Sequence, residues 1–308
     1  MRIQDIEEEL NHEDEYPYLE QLSRVTGVPP DCLVQALAIE KEFHRNIKNE
    51  GDPEKRKRMY EDVYRMVHPL FQRRQGWDTE EHRKDWLVLL FRRWLAGRSI
   101  LDVGCGDGAF LRAVARLLPH GRLLGMDISD GMLPGDLGDI EFMKANIVDF
   151  CVDGRFDVVF SDNVLEHIAP SDVQSHLSSI TRALTGRGVL IILMPNRLFG
   201  PADVTRIVDC TYSNKIAAMG THVNESTYSE VIPLLRQHGF KRFHMLFYAL
   251  PLPKLRHVFG GMAVSPSILA FVERREWLLR LIYGLRRNGK PIFRFGIMLI
   301  CEQSCIES

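Results

Sequence analysis

Apolar residues recur at helical spacing through the first 97 residues and shorten to strand-length runs after residue 98. Leu33, Leu37 and Ile39 follow Pro30-Asp31 and predict a helix to about Ile47. Met59, Val63, Met66, Val67 and Leu70 predict a second over about 54–71, and Trp86, Leu87, Leu90, Phe91 and Trp94 a third that stops at Gly97. Pro17, Val28-Pro29-Pro30 and Gly51-Asp52-Pro53 punctuate the stretch, and no strand pattern appears in it.

Strand-like runs follow at 99–103, 122–126, 140–145, 156–161 and 189–194, with late ones at 243–249 and 295–301. Helical patterns fall at 109–118, 171–184 and 227–238. Strands alternating with helices predict an α/β domain, a parallel sheet covered on both faces. The last two strands are separated by an insert of about 250–293, too long for a hairpin. Within it, 265–287 reads as one helix, apolar at Ile268, Leu269, Phe271, Val272, Trp277, Leu278, Leu281, Ile282 and Leu285 and rich in arginine.

Composition narrows the class. In 308 residues, 45% hydrophobic and 26% charged, there is enough apolar surface for a folded domain. Six cysteines without a CxxC pair exclude a disulfide scaffold and predict free thiols in a reducing, cytoplasmic setting. No signal sequence or membrane-length apolar run is visible. The net charge of −2 argues against a nucleic-acid binder but hides an asymmetry. Residues 1–20 carry eight acids and one base, and residues 241–300 eleven bases and two acids. The basic segment is either a solvated or docked face, or a surface for an anionic substrate.

Chemistry concentrates at two strand ends. Ile100-Leu101-Asp102-Val103-Gly104-Cys105-Gly106-Asp107-Gly108 runs from a buried strand through a glycine turn into a helix. There the backbone approaches a ligand without a Cβ clash and the helix offers free N–H groups. The spacing is GxGxG, not the dinucleotide GxGxxG, and a pyrophosphate would be repelled by Asp102 or Asp107. An amino group and ribose hydroxyls would not. Asp127 ends the next strand, where a carboxylate accepts two ribose hydroxyls.

With these motifs in order, the chain resembles the class I S-adenosylmethionine-dependent methyltransferases over roughly 98–302. Met126-Asp127-Ile128-Ser129 resembles the family's second-strand acidic motif, the run from Phe156 to Ile168 its fourth strand, and Leu184 to Pro195 its fifth. The resemblance implies a Rossmann-like seven-stranded sheet with helices on both faces at 98–308, plus a helical N-terminal cap at 1–97 and the insert. It implies S-adenosyl-L-methionine as cofactor: Gly104, Cys105 and Gly106 at the methionine portion with Asp102 near its amino group, and Asp127 on the ribose beside Ile128. Asn146, where the family more often has Asp, and Ile147 would meet the adenine, and Ser161 and Asp162 the methionine carboxylate and the methyl opening.

A sulfonium methyl is already activated, so in-line displacement needs a placed nucleophile and exclusion of water, and no metal-ligand spacing is seen. Glu166, His167 and His222 are the candidate general bases, with a packing role open for each. Arg197 and Arg206 are candidates to hold an anionic acceptor. Tyr64, with Tyr60 and His68, forms either a lid or an interface. Signatures of amino-group methylation of adenine or glutamine, cytosine carbon-5 methylation and arginine methylation are missing. The resemblance is thus to bacterial small-molecule enzymes of specialised metabolism, acting on a natural product, sugar or other metabolite. A lipid-linked or pyrophosphate acceptor, a catalytically silent cofactor-binding regulator, and homo-oligomerisation stay open.

Overall fold

The structure is a computed structural model describing residues 15–72, 82–130, 133, 137–249, 254–255, 259–287 and 290–303. Most of the acidic N-terminal arm, part of the basic insert and Cys305 lie outside the described residues.

The described residues up to 97 form helices joined by turns, as their periodicity predicts. Helix α1, Leu19–Thr26, stops where Gly27 turns left-handed at φ 71°. Helix α2, Pro30–Ile47, starts on a proline, whose missing N–H costs nothing in the first turn. Helices α3, Pro53–Gln72, and α4, Asp85–Leu95, complete the cap. Its apolar faces join the sheet: one buried cluster runs from Leu33, Leu37, Val63 and Phe91 to Val103, Phe110 and Phe160. Phe110 stacks on Phe160 at 3.6 Å between ring centroids.

Strands β1, Ile100–Val103; β2, Leu123–Asp127; β3, Ile140–Lys144; β4, Phe156–Asp162; and β5, Leu184–Met194, run parallel. Helices α5, Ala109–Leu117, and α6, Val173–Ala183, cross between strands, and α7, Tyr228–Gln237, follows β5. Strand β6 is Phe240–Leu246 and β7 is Ala263–Val264. The main sheet has the order β3-β2-β1-β4-β5-β10-β6-β7, with β10, Ile297–Gln303, antiparallel to both neighbours. The expected seven strands are all present, and the two-residue β7 adds an eighth by pairing with Met245 and Leu246.

The insert departs from expectation. The single helix predicted over 265–287 is two, α8, Ser267–Glu273, and α9, Glu276–Gly284, followed by a small ribbon of β8, Arg286–Arg287, and β9, Lys290–Pro291. The break has a tertiary cause. The Glu273 carboxylate accepts from Asn196 Nδ2 at 2.8 Å and from the Tyr228 and Ser229 N–H groups at 3.0 and 2.9 Å. It thus caps α7 and pins the end of α8, and Arg275 leaves helical geometry at ψ 97°. Tyr283 donates to the Leu198 carbonyl at 2.6 Å, so the insert packs on the segment leaving β5. Among the described residues, no helix is long and apolar enough to cross a membrane.

Candidate active site

The site forms where β1 and β2 end. Gly104 and Cys105 both donate to the Met126 carbonyl, at 2.7 and 3.0 Å, which folds the glycine turn back over β2. Gly104 sits at φ +76°, and a Cβ there would lie 2.5 Å from Val164 Cγ2. A Cβ at Gly106 would meet open space, so the turn is closed on one side and approachable on the other. The Asp127 carboxylate is fixed by the Gly106 N–H at 2.9 Å and the Ser129 N–H at 3.1 Å.

These elements face a cavity of about 600 Å³. Gly104, Asp127, Ile128, Asn146 and Ile147, all expected at the cofactor, line it, as do Tyr64 and His167. Tyr60, His68, Asn163 and Val164 complete much of the wall. The Asn146 amide is engaged, its Oδ1 accepting from the Val148 N–H at 3.0 Å and its Nδ2 donating to the Lys57 carbonyl at 3.3 Å. Ile147 is steadied from behind, since its carbonyl lies 2.7 Å from His176 Nδ1. Burial pushes the His176 imidazole down to about 4.

Helix α3 supplies one wall of this cavity through Tyr60, Tyr64 and His68. Burial drives the Tyr64 phenol well above its usual range, which keeps it a neutral hydrogen-bonding group. Tyr60 faces both ways: it lines the cavity, and its hydroxyl accepts from the Ala169 N–H at 2.7 Å and donates to Asp172 at 3.2 Å. Below the glycine turn, burial, then the nearby Asp162 charge, raises the Asp102 carboxyl well above the carboxylate range. Lys84 holds Asp162 and Arg83 holds Asp107, each at 2.6 Å.

Asn163, left-handed at φ 57°, also lines a second cavity of about 700 Å³ with Asp162, Pro195, Tyr248 and Arg294. A third, of about 820 Å³, shares Pro195 and Arg294 with it and adds Arg206 and Tyr212. Here cations gather on one aromatic ring: Arg294, Arg206 and Lys290 lie 4.3, 5.3 and 5.6 Å from the Tyr212 centroid. Arg206 belongs to this group, its Nε donating to the Pro201 carbonyl at 2.9 Å. Arg197 lies elsewhere and pairs with Glu230, which also closes the capping box of α7 with Thr227. Ser161 and Cys105 are buried and outside the first cavity's lining, and burial raises the Cys105 thiol far out of reactive range.

The three candidate bases meet, although His222 lies far from the other two in sequence. The His167 and His222 rings are 4.5 Å apart at 89°. Glu166 and His222 are buried, and His222 Nδ1 lies 2.7 Å from Glu225 Oε1. Burial raises the Glu166 carboxyl, opposed by the His222 charge. Burial works to lower His222, but the Glu225 hydrogen bond and the Glu166 and Asp203 charges carry it upward. His167 is lowered well below the histidine range, first by burial and then by His222. Arg294, Tyr212, Lys84 and Asn163 were not singled out from sequence. A loop tyrosine and scattered cations carry no motif, and only the asparagine's tolerance of positive φ is a local signal.

Comparisons with known proteins follow the same outline. Residues 101–192 match the family model described as a methyltransferase domain. The chain is 30% identical over 126 residues to trans-aconitate 2-methyltransferase of Acidovorax sp. (strain JS42), covering 40% of this chain and 48% of that one. It is 30% identical over 137 residues to ubiquinone biosynthesis O-methyltransferase of Coxiella burnetii (strain Dugway 5J108-111), covering 42% of this chain and 56% of that one. The match thus spans about half the length of these relatives. A solved structure of a SAM-dependent methyltransferase from Archaeoglobus fulgidus aligns at 18% identity and TM-score 0.47, over 73% of this chain and 95% of that one.

Proposed function

We propose that this chain, whose residues 101–192 form a domain of the class I S-adenosylmethionine-dependent methyltransferases, transfers a methyl group to a small, negatively charged acceptor. The observation that carries the reading is the adjacency of the cavities. The one beside Asp127 and the glycine turn shares Asn163 with a second, which in turn shares Pro195 and Arg294 with the one lined by Arg206 and Tyr212.

The residues fit the cofactor. The open side of Gly106 admits close approach, Asp127 offers its remaining lone pairs to two vicinal hydroxyls, and Ile128 and Ile147 give an apolar flank for a purine. When bound, the cofactor supplies a methyl group already activated on sulfonium sulfur. This chain's part is placement. Tyr64 and His68 close the cavity against water, and Arg206 and Arg294 hold the acceptor's charge away from the reacting end. His167 stands on the cavity wall, depressed toward its neutral form, and backs onto Glu166 and His222. Residues up to 97 act as a cap over the domain that follows.

Isothermal titration with S-adenosylmethionine, then methyl release over matched anionic and neutral acceptors, tests the reading. Asp127→Ala loses two charge-assisted hydrogen bonds, about 1.5–3 kcal/mol each, so affinity falls at least tenfold. Arg294→Ala raises acceptor KM and leaves cofactor affinity in place. Cofactor affinity unaffected by Asp127→Ala refutes the ribose assignment. Turnover confined to neutral acceptors, or binding without turnover on any acceptor, refutes the rest.

A further inference from the structure

Sequence spacing gave no metal-ligand grouping, yet the fold assembles one. Glu166 and His167 lie on the 3-10 turn Leu165–His167 after β4, and His222 on the segment that precedes α7. One ligating atom from each lies within 4.8 Å of the others. Both oxygens of Glu166, a residue 0% exposed, and Nδ1 of His167 are buried without a hydrogen-bond partner. A buried carboxylate left unpaired costs several kcal/mol, so native proteins give such a group a partner.

The surroundings have the form of an outer shell. The Glu225 carboxylate holds His222 Nδ1 at 2.7 Å, an orienting contact of the kind carboxylates make to metal-bound imidazoles. Glu225 is in turn fixed by the Ala202 N–H at 2.8 Å. Nδ1 of His167, buried and without a partner, is the nitrogen open to a ligand. Glu166, Asp203 and Glu225 all act on His222, so acids crowd a point that a dication would balance.

We propose that Glu166, His167 and His222 form a binding site for a divalent transition-metal cation. Two imidazoles and one carboxylate suit Zn²⁺, Co²⁺ or Fe²⁺ and not Mg²⁺ or Ca²⁺, which take oxygen ligands. Such ligands sit about 2.0–2.2 Å from the ion, so the three side chains close in on it. The cation lies beside His167, which also lines the cofactor-side cavity.

The test is a Co²⁺ titration of the full, untagged chain after chelator treatment, read by visible absorption. Zn²⁺ displacement and elemental analysis of the chain as purified accompany it. The wild type takes up one equivalent, and Zn²⁺ raises its melting temperature. Glu166→Gln and His222→Ala lose that equivalent, whereas His120→Ala, outside the cluster, keeps it. Glu225→Gln retains the ligands and weakens affinity roughly 10–100-fold. No Co²⁺ spectrum in the wild type at large excess overturns the proposal without recourse to any variant. Equal uptake by wild type, Glu166→Gln and His222→Ala overturns it as well, since binding then resides on other histidines.

Discussion

Among the described residues, one buried ion pair joins α3 to α6, and cutting it gives a measurable consequence. Arg56 of α3 and Asp172, at the N-terminus of α6, are 5% and 4% exposed. Arg56 Nε lies 2.9 and 3.0 Å from the two Asp172 oxygens, Nη2 adds a third contact, and Nη1 donates to the Glu50 carbonyl at 2.9 Å. Arg56→Ala leaves the carboxylate buried with only the Tyr60 hydroxyl at 3.2 Å. Breaking a buried pair from one side costs about 3–5 kcal/mol, and that is the expected loss. Arg56→Met with Asp172→Leu removes both charges, so it recovers most of it. Urea unfolding followed by far-ultraviolet circular dichroism measures all three proteins. Because Tyr60 and Tyr64 line the cavity from the same helix, Arg56→Ala also weakens S-adenosylmethionine binding. A loss below about 1 kcal/mol for Arg56→Ala with an unchanged denaturant slope refutes the account.

Two other substitutions probe the same walls. His176 has a folded pKa of about 4 against 6.5 for the free side chain, so the unfolded chain takes up the proton first as pH falls. Its contribution, about 3 kcal/mol at most, is complete above pH 6.5 and is lost between pH 6.5 and 4. His176→Gln flattens that limb of the stability profile, and parallel profiles for variant and wild type would show the assignment to be wrong. Gly104→Ala sets a Cβ 2.5 Å from Val164 Cγ2 at a left-handed position. It costs about 1–3 kcal/mol and lowers cofactor affinity; a native melting temperature and affinity would contradict the cradle geometry.

The parts legible in the sequence were those set by local pattern. Gly104, Gly106 and Asp127 sit where a strand must end and turn, and the alternation of elements predicted a parallel sheet, as β1 to β5 form. The break at Arg274-Arg275 was not legible, because the apolar rhythm continues through it; the Glu273 contacts with Asn196, Tyr228 and Ser229 decide it. Arg197 illustrates the same limit, since its partner Glu230 is recruited by a helix start in a later segment. Arg294 and Tyr212 converge only after β10 has paired with β5, and no spacing rule joins them. The Glu166, His167 and His222 cluster is likewise a product of folding, built from two segments that meet where the Asn224 N–H reaches the Glu166 carbonyl at 2.9 Å.

The position of β10 bears on how the protein is made. It pairs with β5 from Ile297 opposite Met194 to Glu302 opposite Val189, and with β6 on its other side. During synthesis β5 and β6 emerge first, each with an unsatisfied row of backbone donors and acceptors, and both wait while the insert is translated. The Rossmann half can settle early. The side lined by Arg294 and Phe295, just ahead of β10, cannot close until residues 297–303 have left the ribosome and slid between the two waiting edges. A ribosome stalled before that point would hold a species with two open edges, the form most exposed to chaperones and to edge-to-edge association.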